Sequence, residues 1–201
     1  MKVIFAKDWS VVERTARTRD HGHCRRTRTG GHESLVSPRG KVLENGMPRF
    51  SRRLAEGVFD IRDLKRRTEE LVHFIAAFRI EHNLRDNQII AVGYSNGANI
   101  AVSLLLLHPS SLLGAVLFCA IVPFQPDSRP DLNRTSAFMT SGRLDPIALP
   151  ENALELARIF KDAGADVSVH RERGGHQLGP EDMETARKWL LSVSKNREGG
   201  R

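Results

Sequence analysis

Gln88-Ile89-Ile90-Ala91-Val92-Gly93-Tyr94-Ser95-Asn96-Gly97-Ala98, continuing through Asn99-Ile100-Ala101-Val102-Ser103-Leu104 to Leu107, is the stretch that decides the fold. Four apolar residues in a row read as a buried strand, and the run after Gly97 reads as an apolar helix. Between them a serine stands two residues from a glycine on either side, so strand passes to helix through a G-x-S-x-G turn. Such a turn holds its central residue in a strained conformation and brings strand and helix too close for a Cβ at the glycines. The serine hydroxyl is thereby pushed out of the sheet, and the Asn96 N–H is aimed at the space in front of it.

The 201 residues suffice for one domain with a substantial core. With 40% apolar and 27% charged residues the composition is that of a globular chain. The two cysteines, Cys24 and Cys119, are far apart and indicate neither a disulfide framework nor a zinc site, so a reducing, cytoplasmic setting is expected. The longest apolar run, Leu112 to Pro123, is too short to span a membrane. A net charge of +7 would ordinarily raise nucleic acid as a partner. Residues 1–31, however, hold eight Lys/Arg against three Asp/Glu, while the remainder holds 23 against 21. The excess is a basic arm without a recognition motif, and no nucleic-acid partner is expected.

Three segments are expected: a basic, atypical amino-terminal segment over 1–33, a main domain over 34–195 and a polar tail over 196–201. The first has almost nothing apolar between Val12 and Leu35 and reads as mostly irregular. Its apolar start, Val3-Ile4-Phe5-Ala6, is too short for a secretory signal. Ser34 to Ser37 reads as a short strand, and Asn45-Gly46-Met47-Pro48 as a turn in a polar loop. A helix is expected from an Asp60 cap to Asn83, with Leu64, Leu71, Phe74, Ile75 and Phe78 on one face. Beyond the serine turn come strands at 114–119, 136–140 and 165–170 and helices at 152–163 and 180–193. Strands alternating with helices imply an α/β fold, a mostly parallel sheet covered on both faces.

A serine hydroxyl needs an imidazole to take its proton and a carboxylate to hold that imidazole in the right tautomer. Asp145 follows a strand and the Ser141-Gly142 break; Asp127 and Asp131 are rivals that lack a strand-end position. His176 follows a strand and the Gly174-Gly175 pair, a context none of the other seven histidines has. His73, His82, His108 and His170 fall within or at the ends of helices or inside a strand.

These motifs, with Ser37-Pro38-Arg39-Gly40 and Glu44-Asn45-Gly46-Met47-Pro48-Arg49-Phe50, resemble the phospholipase/carboxylesterase family of small serine hydrolases, relatives of the acyl-protein thioesterases and dienelactone hydrolases. The resemblance runs from Ser34 to about Val193. It implies a single-domain α/β-hydrolase fold and a Ser95–Asp145–His176 triad with Asn96 in the oxyanion hole. It further implies hydrolysis of short- to medium-chain acyl esters, with no cofactor and no metal. Met47, Phe50 and the loop from Val122 to Pro130 are candidates for the acyl pocket, and a homodimer is an open partner. The chain departs from the family before Ser34, where no apolar strand leading to a His-Gly-x-Gly-like loop is recognisable. The fragments His21-Gly22-His23 and Gly30-Gly31-His32-Glu33 only echo such a loop. Amino-terminal strands are therefore expected to be missing or disordered. Since one lost oxyanion donor costs about 10²–10³ in turnover, a catalytically impaired domain with a binding role stands as the alternative.

Overall fold

The computed structural model describes residues 2–6, 18–20, 24–28, 34–84 and 88–198. In chain order the elements are β1 (Lys2–Ala6), β2 (Thr18–Asp20), β3 (Cys24–Arg28), β4 (Ser34–Pro38), β5 (Val42–Glu44), β6 (Met47–Arg49), β7 (Arg53–Ala55) and β8 (Val58–Phe59). Then follow α1 (Ile61–Glu81), β9 (Ile89–Tyr94), α2 (Asn96–Leu107), β10 (Gly114–Phe118), β11 (Ser136–Gly142), α3 (Pro150–Asp162), β12 (Asp166–Glu172) and α4 (Pro180–Glu198).

One eight-stranded sheet, in the order β12-β11-β10-β9-β1-β4-β3-β2, organises the chain. β12 through β4 run parallel, and β3 and β2 complete it antiparallel. The middle strands read as continuous apolar runs because both faces are covered. Ile89, Ala91, Ala115, Leu117, Ala137 and Met139 pack on one side with apolar residues of α1, α2 and α3. Their neighbours Ile90, Val92, Val116, Phe118 and Phe138 pack on the other with Ala186 and Val193 of α4. This alternation along each strand is what puts helices on both faces.

α1 starts where its sequence says it should. The Asp60 side chain accepts the Asp63 N–H at 3.0 Å, and Leu64, Leu71, Ile75 and Phe78 are buried. β11 and β12 run further than their apolar cores suggest, because Ser141 and Gly142 still pair with Arg171 and Glu172. Asn45-Gly46 is more than a loop turn: both residues have positive φ, 51° and 76°, and they close a two-residue hairpin between β5 and β6. A second hairpin, β7–β8, turns through Gly57 at φ 72°.

One amino-terminal expectation is corrected: no apolar strand is recognisable in the sequence before Ser34, yet Lys2–Ala6 is an interior strand, paired with Ile89 to Gly93 on one side and with Ser34 to Val36 on the other. β2 and β3 extend the sheet beyond β4 although their sequences, Thr-Arg-Asp and Cys-Arg-Arg-Thr-Arg, carry no apolar pattern. Pairing to an existing edge overrides weak local preference. The loop fragments at 21–23 and 30–33 lie outside the described residues, as do residues 7–10 after β1. Among the described residues no helix is long and apolar enough to cross a membrane.

Candidate active site

Parallel strands end on a common rim, and the loops leaving β9, β11 and β12 there carry Ser95, Asp145 and His176. The serine turn is as tight as its glycines suggest. A Cβ on Gly93 would lie 2.4 Å from the Gly97 carbonyl oxygen and 2.5 Å from the Ala98 nitrogen. Ser95 itself sits at φ 51°, ψ −115°, a conformation an L-residue adopts only under constraint, and its N–H is tied to the Phe118 carbonyl at 2.9 Å. Asn96 heads α2, so its N–H has no carbonyl four residues back within the helix to bind. Its side chain braces the surroundings: Oδ1 accepts the Phe50 N–H at 2.8 Å. Asn99 Oδ1 does the same for the Ile121 N–H at 3.0 Å.

The Asp145 and His176 loops are built against each other. Arg143 donates its N–H to the Glu172 carbonyl at 2.9 Å, and Leu144 donates to Gly174 at 3.0 Å. A Cβ on Gly142 would lie 2.3 Å from the Gly175 carbonyl oxygen, so the two loops meet only because residue 142 has no side chain. Asp145 is fully buried and fully bonded. Its Oδ1 accepts the N–H groups of Ile147 and Ala148, both at 2.8 Å, and its Oδ2 lies 2.8 Å from His176 Nδ1. His176 Nε2 lies 3.0 Å from Ser95 Oγ. The Tyr94 hydroxyl donates to the His176 carbonyl at 2.8 Å, with the two rings 5.4 Å apart, which fixes the imidazole from behind.

The rival carboxylates are elsewhere. Asp127 is exposed beside Lys65, and Asp131 Oδ1 accepts from Asn133. Met47 and Phe50 do not line the cleft in front of Ser95: Phe50 is buried in the core and Met47 is half exposed on the β5–β6 hairpin. The lining comes instead from Arg49, Arg53 and Gly57 to Phe59 of the two hairpins, Cys119 and Ile121 after β10, and Ile147 and Ala148 after Asp145. Phe50 is displaced from the expected role because its backbone is held by Asn96 and its ring fills the core.

That Tyr94, Cys119, Arg49 and Arg53 stand at the site was not read from the sequence. Tyr94 is the variable position of its own motif, and arginines in a polar loop read as solvated. Cys119 also has positive φ, 52°, and its buried thiol is pushed up to about 12 by desolvation. With Asp145 and His176 it forms a group whose ligand-type atoms lie within 4.8 Å of one another. Both Asp145 and His176 are already engaged, and a protonated thiol is a poor metal donor.

The doubly covered parallel sheet and the serine at its rim define an α/β-hydrolase. The phospholipase/carboxylesterase profile matches residues 52–194, and the chain belongs to that family of ester-hydrolysing enzymes. It is 47% identical over 155 residues to a Bacillus subtilis (strain 168) protein named as hydrolase MhqD, covering 77% of this chain and 78% of that one. The Bacillus cereus carboxylesterase structure aligns with TM-score 0.78 at 45% identity, covering 80% and 76%. Protein Atu2452 of Agrobacterium tumefaciens, of unknown function, aligns with TM-score 0.78 at 28% identity, covering 96% and 90%.

Proposed function

We propose that this chain is a serine carboxylesterase that hydrolyses short- to medium-chain acyl esters through an acyl-enzyme on Ser95. The observation that carries the reading is the hydrogen-bonded relay from Ser95 Oγ to His176 Nε2 at 3.0 Å and from His176 Nδ1 to Asp145 at 2.8 Å. With Nδ1–H donated to the carboxylate, Nε2 is left as the acceptor facing the hydroxyl.

Ser95 Oγ attacks the acyl carbon while its proton passes to His176 Nε2. The carbonyl oxygen, now negative, is stabilised by the Asn96 N–H at the positive end of α2. Collapse of this adduct breaks the bond to the alcohol, which leaves with the proton from Nε2. Water then attacks the acyl-enzyme, again losing its proton to Nε2, and the acid is released with Ser95 restored. Asp145, bonded by two backbone N–H groups, holds the ring and stabilises its cationic form without taking the proton. No cofactor enters any step.

A fluorophosphonate probe and a short-chain 4-nitrophenyl ester test the reading together. Wild type is expected to label and turn over; Ser95→Ala is expected not to label and to lose about 10⁴-fold or more in kcat. Asp145→Asn is expected to lose on the order of 10³–10⁴. Absent labelling of wild type, or equal labelling of Ser95→Ala, would leave a hydrolase-like binding domain in its place.

A further inference from the structure

The cleft in front of Ser95 is unevenly charged. Among the described residues its lining includes two arginines, Arg49 and Arg53, and no aspartate or glutamate. Both arginines are partly buried, with side chains 19% and 32% exposed. Among the described residues one acid, Glu44, pairs with them, and it is not part of the lining. Arg53 Nε donates to its Oε1 at 2.7 Å, and Arg49 Nε faces its Oε2. The Arg53 hydrogen bond, aided by both positive charges, holds the Glu44 carboxyl below the usual range, so it is ionised. Two cations and one anion leave the trio one positive charge in excess.

Within the trio Glu44 is met only at the Nε side of each arginine. Glu44 engages each guanidinium through Nε, and among the described residues no acid pairs with the Nη groups of either arginine. The hairpins carry this arrangement by simple alternation. Glu44 and Arg53 face inward, while Leu43 and Leu54, one position away on their strands, are exposed. A guanidinium fork fixed through Nε is suited to taking a carboxylate on its remaining N–H groups.

We propose that Arg49 and Arg53, braced by Glu44, form an anion-binding subsite, and that the esters hydrolysed at Ser95 carry a carboxylate in addition to the scissile bond. This rests on the hydrolase reading above and names the substrate class of that site. Arg49 and Arg53 are specificity residues here, since they touch a remote part of the substrate and take no proton.

Two matched pairs of esters test it on the wild-type enzyme. In 4-acetoxybenzoate and 4-acetoxybenzamide the charge differs on the leaving group; in monomethyl glutarate and methyl butyrate it differs on the acyl group. The charged member of at least one pair is expected to have the higher kcat/KM by about tenfold or more, as for a hydrogen bond to a charged group. That ratio shrinks as salt is raised. Arg49→Gln and Arg53→Gln each lower it, and Arg53→Lys retains part of it. Because the first comparison needs no variant, misfolding of a substituted protein cannot mimic either result. Fluorophosphonate labelling with a ratio at or below one for both pairs overturns the subsite and leaves the hydrolase intact. Absence of both labelling and turnover overturns the two together.

Discussion

At Gly93 and Gly142 the absence of a side chain is itself part of the site. A Cβ at residue 93 would enter the backbone of α2, which cannot give way like a flexible side chain, so Gly93→Ala is expected to cost ~3 kcal/mol or more in urea unfolding. At residue 142 the obstacle is the Gly174-Gly175 backbone just ahead of His176. Gly142→Ala therefore pushes the two loops apart, and a drop in kcat larger than the rise in KM is expected. A silent Gly142→Ala would mean that the loops hold His176 by other contacts. Cys119 offers a different check. With its thiol near pKa 12, the thiolate fraction at about pH 8 is on the order of 10⁻⁴, and the thiolate is the reactive form. Iodoacetamide should leave the Cys119 peptide unmodified in the native protein and alkylate it in urea; stoichiometric native labelling would contradict the burial. Ser95, Asp145 and His176 were legible in sequence because each follows a strand end punctuated by glycine. Arg49 and Arg53 were not, since nothing local marks a charged side chain turned inward by a hairpin. Met47 and Phe50 show the converse: apolar character near a site does not say whether a side chain faces the cleft, the core or solvent.

Helices are held by polar contacts as well as apolar ones, and these set the predictions at the level of elements. Between α1 and α2, Thr68 Oγ1 lies 2.8 Å from both Ser103 Oγ and the Leu64 carbonyl oxygen, and both residues are fully buried. Thr68→Val strands the Ser103 hydroxyl and should cost about 1–3 kcal/mol, whereas adding Ser103→Ala removes the orphan and should recover much of the loss. Additive single effects in that cycle would refute the coupling. At the start of α4, Asp182 Oδ2 accepts the Gly179 N–H at 2.9 Å, but burial raises its carboxyl above the ordinary range. The native state then holds the proton to higher pH than the unfolded chain does. The stability this gives is complete below about pH 4 and is lost as pH rises through the raised value. Asp182→Asn keeps an acceptor for Gly179 and abolishes that titration. Its stability relative to wild type, from urea melts, should improve as pH rises above about 4; a flat difference would count against the raised carboxyl. The helices and central strands announced themselves through period and capping, as Asp60 does for α1. The hairpins β5–β6 and β7–β8 were only half legible, because strands of two or three residues are too short to show a period.

Across the whole molecule the decisive feature is where β1 lies. Its five residues stand between β9 and β4 and so connect the half-sheet β9–β12 to the half-sheet β4–β2. A five-residue run followed by a long polar stretch gave no reason to expect an interior position, because sheet order is set by pairing and not by chain order. Ala6 pairs with Gly93, the first glycine of the serine turn, so β1 ends on the rim where Ser95 lies. Removing residues 1–6 would expose the backbone groups of both neighbours. Each buried group left unpaired costs about 1–3 kcal/mol, and a handful exceeds the roughly 5–15 kcal/mol that a folded chain holds in total. The truncated protein is accordingly expected to lose its cooperative urea transition, or to aggregate through the opened edges. Ile4→Pro, which deletes a backbone donor in an interior strand, should weaken stability in the same direction with the chain otherwise whole. If the truncated protein instead melts like the full chain and still labels at Ser95, then β9 and β4 hold together without β1. The sheet's two halves would then owe their union to α1 and α2, whose apolar residues share one core with Val36 of β4 and with Ile89 and Ala91 of β9.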